Sequence, residues 1–343
     1  MAEECALSGE NLGKNTDWGD IAVKALVMGG TRFVGLHLVW ELSRDGHEVT
    51  IVNRGKTPAR LPDGVTRITC DRKDHASLRK ALAGTEFDAV FDIMAYVPDD
   101  TRPLIDIFDG RTGRFVLVST GSVYKQVEVF PWKEDFEKVT DNSQGDYGYN
   151  KQLIEEMLFE AHARTGFPIS LIRPGYIYGP HNSVYRETLL FDRVVKVRPV
   201  VIPGDGSYLE CFGYVDDLAR LLILCATREE ACGEAFNFAG EFAFPMNDYM
   251  EKVFAACDRR VPLVHFRPEE VGMSDADVPK VFPFRWKTQT LRDTSKARYL
   301  LGYREQVSLD QGLKEAFKWF VEAGIERKSI DFTLEDKIIR AKS

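Results

Sequence analysis

Short runs of apolar and β-branched residues recur along the first half of the chain, and longer segments with helical spacing separate them. The apolar runs are Lys24–Met28, Glu48–Asn53, 65–69, 89–93, 115–119 and 169–173. Because they are apolar at nearly every position, they are typical of strands buried on both faces of a sheet. The segments with helical spacing include Phe33–Arg44, 75–83 and 151–165. This alternation predicts an α/β fold, a doubly wound parallel sheet of the Rossmann type.

The second half of the chain lacks this regular alternation. After about residue 178, prolines interrupt shorter elements, and we expect a smaller C-terminal lobe packed against the sheet. Helices are predicted at 214–226, where two aspartates suit the positive end of a helix, and at 309–323. Residues 205–240 are expected to return to the first domain. The predicted organisation is a flexible leader at 1–22, a Rossmann domain at 23–178 and the lobe at 179–343.

Composition and charge disfavour several classes of protein. The 343 residues are 44% hydrophobic and 29% charged, as in ordinary soluble globular proteins. A net charge of −8 disfavours nucleic acid as the main partner, since proteins that bind it usually carry a basic surface. No apolar run has the length of a membrane span, and residues 1–20 show neither a signal-peptide nor a transit-peptide pattern. We expect a cytoplasmic protein with no membrane partner.

A glycine-rich loop follows the first strand and precedes the first helix. Glycines at such a turn let the backbone approach a pyrophosphate, and the free N–H groups of the helix N-terminus stabilise its negative charge. Because strand, loop and helix occur in this order, we predict a dinucleotide-binding loop rather than a turn required only for packing. Arg32 stands where such loops usually carry their middle glycine. The predicted cofactor contacts in the loop are Gly29, Thr31, Arg32, Phe33, Val34 and Gly35.

The end of the second strand indicates which dinucleotide binds. Sites for NAD usually place an acidic residue here, on the ribose hydroxyls. This chain instead has Asn53 and Arg54, followed by Gly55 and Lys56. Asn53 does not repel a 2′-phosphate, and the guanidinium fork of Arg54 can bind one. We therefore predict NADP as the cofactor, with NAD as the alternative, against the simpler interpretation that these are solvated loop charges.

Tyr147 and Lys151 form a Tyr-x-x-x-Lys pair at the start of a predicted helix. Residues four apart share one face of a helix. A tyrosine has an ordinary pKa of about 10 and is a poor base at neutral pH, but a neighbouring lysine charge favours its phenolate. Tyr147 could then accept a proton from a carbinol as hydride leaves, or return a proton to a carbonyl. Thr120, in the turn after the strand at 115–119, offers a hydroxyl to the same oxygen.

Several motifs in a fixed order resemble the extended short-chain dehydrogenase/reductases, in particular the NAD-dependent epimerase/dehydratase family. They are the glycine loop, the turn at 119–124, the Tyr-x-x-x-Lys pair, the segment at 173–180 and Asp-Thr-Ser-Lys-Ala at 293–297. The resemblance implies that Thr120 and Tyr147 contact the substrate oxygen and that Lys151 contacts the nicotinamide ribose. It also implies that Asp71 lies near the adenine, Ala95 beside the cofactor and Pro174 near the nicotinamide amide.

Two departures from the family pattern narrow the range of reactions that the chain could catalyse. Family members that dehydrate nucleotide sugars carry an Asp-Glu pair directly after the catalytic threonine, where this chain has Gly121 and Ser122. A dehydratase is therefore disfavoured. Nucleotide-sugar enzymes also carry an arginine for the diphosphate at the position of Glu210, and a carboxylate there would repel that group. Arg285 or Arg292 could provide the missing charge.

Segments at 29–33, 92–96 and 282–285 resemble an atypical branch of the family. The branch includes the chloroplast stem-loop-binding proteins and many bacterial epimerases. Resemblance to the chloroplast members implies RNA binding with a degraded catalytic site. The intact Tyr147 and Lys151, together with the acidic chain, favour an enzyme over an RNA-binding protein here. Two enzyme classes stay open. One is an NAD(P)-dependent epimerase of a sugar or sugar-like substrate, and the other is an NADPH-dependent reductase or dehydrogenase of a small carbonyl or sugar.

The remaining expectations concern the substrate, metals and assembly. We expect the lobe at 179–343 to bind most of the substrate. The six histidines do not fall at metal-ligand spacing, so no metal site is predicted. The helix at 151–165 could form the face of a homodimer. The candidate substrate contacts are Tyr96, Ser122, Tyr176, His181, Asn182, Glu210 and Arg285.

Overall fold

The computed structural model describes residues 22–325 and 329–342. The leader expected at 1–22 therefore lies outside the described residues, apart from its last position. The strands are β1 Lys24–Met28, β2 Glu48–Asn53, β3 Thr66–Thr69, β4 Phe87–Asp92, β5 Thr112–Val118, β6 Ile169–Pro174, β7 Tyr176–Tyr178, β8 Val200–Pro203, β9 Leu209–Tyr214, β10 Glu234–Phe238, β11 Ala243–Pro245 and β12 Leu263–Phe266. The helices are α1 Phe33–Arg44, α2 His75–Ala81, α3 Pro98–Phe108, α4 Asp146–Thr165, α5 Glu187–Val195, α6 Val215–Thr227, α7 Met246–Ala256, α8 Ser295–Leu301, α9 Leu309–Glu322 and α10 Thr333–Lys342.

Seven parallel strands form the main sheet, in the order β3, β2, β1, β4, β5, β6, β10. The chain starts at β1 inside the sheet, runs outward to β3 and then crosses to β4 on the other side of β1. The strand order reverses between β1 and β4, and the carboxyl ends of these two strands leave a crevice. Ligands bind in this crevice in folds of this type. The strand order confirms the predicted doubly wound α/β fold.

The predicted strands and helices of the first half are present, with ends shifted by a few residues. The strand expected at 89–93 is β4 and the one at 115–119 is β5, both of which begin and end earlier in the chain. Helix α3 was not predicted from the sequence. Pro98 lies in its first turn, where a missing N–H breaks no helical hydrogen bond. The Asp100 carboxylate accepts hydrogen bonds from the N–H groups of Tyr96 and Val97, at 2.8 and 3.2 Å, and so fixes the start of the helix.

The second half of the chain contributes to the main sheet and also builds two small sheets. β10 pairs with β6 at one edge of the main sheet, and α6 packs against α1. β7, β9 and β11 form a three-stranded sheet, and β8 pairs with β12. The functional division of the chain at residue 178 stays a prediction.

Apolar side chains cover both faces of the main sheet. On one face, Leu38 of α1 and Leu218 of α6 belong to the same buried cluster as the strand residues. On the other face, Phe108 of α3 and Ile154 of α4 are buried with the remaining strand side chains. Full burial of such a side chain contributes roughly 1.5–3 kcal/mol, so this packing holds the sheet edge that carries the site rigidly in place. No helix within residues 22–325 and 329–342 combines the length and the apolar character needed to cross a membrane.

Candidate active site

The predicted cofactor residues lie at one edge of the main sheet. Because the carboxyl ends of parallel strands meet at the same edge, residues that follow different strands come together there. The crevice between the ends of β1 and β4 lies where the strand order reverses. The residues that end or follow these strands are Gly29 after β1, Asn53 at the end of β2, Asp71 after β3, Ala95 after β4, Thr120 after β5 and Pro174 at the end of β6.

The glycine loop has backbone geometry that side chains would obstruct. Gly29 and Gly30 have φ values of 122° and 81°, in the left-handed region that favours glycine. A Cβ atom on Gly35 would lie 2.8 Å from the backbone nitrogen of Gly30, so α1 packs directly against the loop. The Arg32 side chain is exposed and does not cap α1, which leaves the first N–H groups of the helix without a side-chain partner. This geometry fits a bound pyrophosphate.

Asn53 connects the glycine loop with the loop that follows β2. Its side-chain amide donates to the Gly29 carbonyl at 3.2 Å, and its side-chain oxygen accepts the Gly55 N–H at 2.8 Å. Arg54 and Lys56 are exposed in the same loop. The end of β2 therefore presents an amide and two cations, as the sequence predicts for a site without the usual ribose-binding acid.

Tyr147 lies in the first turn of α4 and shares a cavity with Thr120. About half of the tyrosine remains exposed, at 48%. Desolvation by the surrounding protein raises the pKa of Tyr147 above its ordinary value, and a hydrogen bond with the Thr120 hydroxyl acts in the opposite direction. Without a bound cofactor, Tyr147 is therefore a protonated phenol at neutral pH.

Lys151 lies one helical turn further along α4 and is almost completely buried. Its ammonium donates a 2.6 Å hydrogen bond to the Val118 carbonyl and lies 5.8 Å from the centre of the Tyr96 ring. Burial lowers the pKa of Lys151 to about 8, and the buried carboxylate of Asp92 acts in the opposite direction. Asp92 is itself held by Arg72, with an N–O distance of 2.8 Å. The lysine is thus a buried, hydrogen-bonded cation beneath the sheet edge that Thr120 follows.

A cavity of about 350 Å³ lies next to Tyr147. Three arginine side chains contribute to its wall, and none of the residues that line it carries a carboxylate. Six of its lining residues were predicted as site residues, and Arg292 was weighed as a source of positive charge. The six are Thr120, Tyr147, Pro174, Ser122, Tyr176 and Arg285. Tyr96 does not line it, although the Tyr96 ring centre lies 6.4 Å from that of Tyr147. The arginines are Arg186, Arg285 and Arg292.

His181 and Asn182 are not brought to this cavity. The imidazole of His181 lies 3.1 Å from that of His37 on α1, nitrogen to nitrogen. Asn182 is buried, and its amide donates to both carboxylate oxygens of Glu187 at 3.0 and 3.1 Å. These contacts anchor the loop before α5.

Glu210 lies behind the cavity wall rather than on it. It is 2% exposed, its carboxylate accepts a hydrogen bond from the Thr290 hydroxyl, and the N–H of Cys211 lies 3.0 Å from its other oxygen. Burial raises the pKa of Glu210, and the positive charge of Arg292 acts in the opposite direction. The carboxylate is therefore held by neighbouring protein groups.

A buried ion pair supports the turn that carries Thr120. Glu155 of α4 and Arg173 of β6 are 1% and 3% exposed, with a shortest N–O distance of 2.6 Å. Glu155 also accepts a hydrogen bond from the Ser119 hydroxyl at 2.5 Å, and Arg173 donates to the Tyr124 hydroxyl at 3.1 Å. Ser119, Tyr124 and Arg173 belong to the sequence motifs, but their network was not predicted. The sequence feature that could have indicated this network is Glu155 itself, which lies four residues after Lys151 on the same face of the helix.

A Rossmann-type sheet with a glycine loop, a Tyr-x-x-x-Lys pair and a threonine at one edge defines an extended short-chain dehydrogenase/reductase. Comparison with known proteins agrees, because the model of the NAD-dependent epimerase/dehydratase family matches residues 25–109 and 100–239. The chain belongs to this family.

Similarity to individual proteins extends over nearly the whole chain. The chloroplast stem-loop binding protein of 41 kDa b from Arabidopsis thaliana is 30% identical over 93% of this chain and 85% of its own length. The epimerase Mth375 from Methanothermobacter thermautotrophicus has a similar structure, with a TM-score of 0.75 and 23% identity over 90% of this chain and 95% of its own. The UDP-glucuronic acid 4-epimerase from Bacillus cereus, solved in complex with NAD, gives a TM-score of 0.70 and 22% identity over 88% of this chain and 99% of its own.

Proposed function

We propose that the chain is an NADP-dependent epimerase that removes hydride from a carbinol carbon of a sugar-like substrate and returns it to the opposite face. The observation that carries the proposal is the placement of Tyr147 and Thr120 in one cavity, with Pro174, at the same sheet edge as the glycine loop. Lys151 lies under the same edge, on the same helix as Tyr147. NAD is the alternative cofactor, and it is the dinucleotide with which the Bacillus cereus relative was solved.

The residues at the sheet edge fit a dinucleotide. The backbone of Gly29 and Gly30 and the uncapped start of α1 would hold the pyrophosphate. Asn53 and Arg54 would meet the adenosine ribose and its 2′-phosphate. The ammonium of Lys151 would contact the nicotinamide ribose. When bound, the dinucleotide accepts hydride from the substrate and gives it back.

Proton transfer is the task of Tyr147. In the oxidation step its phenolate oxygen accepts the proton of the substrate hydroxyl, while the carbon loses hydride and becomes a carbonyl. In the return step the carbonyl carbon regains hydride and its oxygen regains the proton from Tyr147. Thr120 donates a hydrogen bond to the same oxygen, and the charge of Lys151 favours the phenolate. The cycle consumes no cofactor, because the two hydride transfers cancel.

Two other functions make different predictions. A reductase would use the same residues once per turnover and would consume NADPH in proportion to product. RNA binding is favoured by the similarity to the Arabidopsis stem-loop binding protein. It is disfavoured by the net charge of −8 and by the presence of both Tyr147 and Lys151.

The test compares Tyr147→Phe with the wild type on UDP-glucuronate, UDP-glucose and free D-glucuronate in the presence of NADP or NAD. Products are identified by NMR, and reduced nicotinamide is followed by its absorbance. We expect epimer formation without net cofactor consumption, and a loss of about 10²- to 10⁴-fold in turnover for Tyr147→Phe. Net reduction of the added NADP or NAD would instead identify a dehydrogenase.

Tyr149→Phe is the matched control, because Tyr149 lies two residues along the same helix and does not line the cavity. It should retain the wild-type turnover. Wild-type turnover in Tyr147→Phe would contradict the proposal. So would a protein whose stem-loop RNA binding is unchanged by Tyr147→Phe and which turns over none of the sugars.

A further inference from the structure

Arg292 enters the cavity from a backbone segment that the rest of the fold holds in place. The N–H of Trp132 donates to the Leu291 carbonyl, and the N–H of Asp293 donates to the Trp132 carbonyl, both at 2.9 Å. These bonds fix the backbone on both sides of Arg292. Its side chain reaches the turn that follows β5, next to Thr120.

Two glycines make room for the Arg292 guanidinium. A Cβ atom on Gly121 would lie 2.2 Å from Nε and 2.3 Å from Nη2 of Arg292, and one on Gly175 would lie 2.6 Å from Nη1. Real Cβ atoms do not approach other atoms so closely. The guanidinium therefore occupies the space that a side chain at position 121 would fill, directly after the catalytic threonine.

The protein around Arg292 leaves part of its guanidinium without a hydrogen-bond partner. Nη1 donates to the Thr290 carbonyl at 2.8 Å, whereas the buried Nε has no hydrogen-bond partner. Arg292 forms no ion pair with a carboxylate of residues 22–325 or 329–342, although the buried carboxylate of Glu210 is near enough to attract its charge and also accepts a hydrogen bond from Thr290. A buried guanidinium with an unsatisfied N–H is costly unless a ligand completes its contacts.

The other charges on the cavity wall have the same sign. Arg285 contacts the side-chain amide of Gln126, and the guanidinium of Arg186 lies 4.9 Å from the centre of the Tyr176 ring. No lining residue carries a carboxylate, so the cavity attracts anions and repels cations. Arg292 lies against the turn carrying Thr120, at Gly121.

We propose that the substrate carries an anionic group, a carboxylate or a phosphoryl group, close to the carbinol that Thr120 and Tyr147 contact, and that Arg292 binds this group. The proposal rests on the proposed function, since it takes the cavity to be the substrate site. It assigns Arg292 as a specificity-determining residue. The anion it binds is adjacent to the reacting carbon and is distinct from a nucleotide diphosphate at the far end of a substrate.

Ligand-observed NMR on the NADP-loaded protein tests the assignment without requiring turnover. The probes are D-glucuronate and D-glucose 6-phosphate, with D-glucose as the neutral reference. We expect one or both anionic sugars to bind about ten- to a hundredfold more tightly than D-glucose, as a charge-assisted hydrogen-bonded contact provides. Preference for glucuronate would identify a carboxylate, and preference for the phosphate ester would identify a phosphoryl group.

Arg292→Gln should remove this preference, while Arg102→Gln, on an exposed part of α3, should leave it unchanged. Gly121→Ala is a second variant, because its Cβ displaces the guanidinium without removing the charge; it should weaken anion binding as well. Equal binding of charged and neutral sugars by the wild type, or an undiminished preference in both Arg292→Gln and Gly121→Ala, would overturn the assignment. Failure of the proposed function would appear differently, as a lack of dinucleotide binding or a Tyr147→Phe variant with full turnover.

Discussion

Buried ionisable side chains set the chemistry and part of the pH dependence of this protein. Lys151 and Glu187 are 3% and 1% exposed, and burial moves the pKa of each toward its neutral form. In the proposed mechanism Lys151 contacts the cofactor, whereas Glu187 anchors the loop before α5. Their substitution should therefore separate an effect on activity from an effect on stability.

Lys151→Met should stabilise the cofactor-free protein and abolish its activity. The pKa of Lys151 falls from 10.5 to about 8, so below pH 8 the folded state must bury an ammonium that the unfolded chain solvates. This shift corresponds to about 3 kcal/mol, before the loss of the hydrogen bond to Val118 is counted. As pH rises from about 8 to 10.5 the folded lysine is neutral while the unfolded one is still protonated, so wild-type stability rises and its deficit relative to Lys151→Met shrinks.

Urea unfolding at several pH values measures this difference, with turnover assayed in parallel. A Lys151→Met protein that is less stable than the wild type at pH 7 would show that the buried ammonium stabilises the fold, contrary to this prediction.

Glu187→Gln should become more stable relative to the wild type as pH rises. Burial raises the pKa of Glu187 from 4.5 to about 7. The folded state therefore binds an extra proton between these values, and wild-type stability falls as pH rises through about 7. Between pH 4.5 and pH 8, we expect the unfolding free energy of Glu187→Gln to rise by about 3 kcal/mol relative to that of the wild type. Urea titrations at both pH values measure it, and a pH-independent difference would refute the assigned pKa shift.

The proposed catalytic residues were identifiable from sequence because their signals are local. Tyr147 and Lys151 are four positions apart, and Thr120 follows a recognisable strand. The position of Arg292 could not be predicted in this way, because its contact with Gly121 joins segments 171 positions apart, the difference between 292 and 121. Glu210 was weighed as a substrate contact, but its burial behind Thr290 depends on packing of the same kind.

The buried ion pair between Glu155 of α4 and Arg173 of β6 connects the elements that carry these residues. The pair connects the helix that carries Tyr147 to the strand that ends at Pro174. The long apolar strands and helices α1, α2, α4, α6 and α9 were predicted from local spacing, whereas helices α3, α5 and α7 were not. The short strands β7 and β11 were not, because three residues carry no periodic signal.

Glu155→Leu should destabilise the protein by about 3–5 kcal/mol, because it leaves the guanidinium of Arg173 buried without its partner. The double variant Glu155→Leu/Arg173→Met should recover a large part of this loss, since it removes both charges. Urea unfolding of the two variants and the wild type measures the effect. An equal loss in the single and double variants would mean that shape, not charge pairing, dominates at this position.

At the scale of the whole molecule, one sheet edge unites the predicted cofactor contacts, the proposed catalytic pair and the cationic cavity. Residues from Gly29 to Arg292 contribute to it, so the site draws on both halves of the chain. The net charge of −8 does not conflict with an anionic substrate, because the charges that line the cavity itself are positive. The homodimer expected through α4 stays a prediction.

The most direct test of the central claim is whether the protein binds a nicotinamide dinucleotide. Mass spectrometry of the purified, denatured protein should detect NADP, or NAD as the alternative, and addition of the dinucleotide should raise the melting temperature of the empty protein. At a concentration of about 100 times Kd, binding adds about 2.7 kcal/mol to the stability of the folded state. A protein that carries neither dinucleotide, and whose melting temperature responds to neither, would contradict the account.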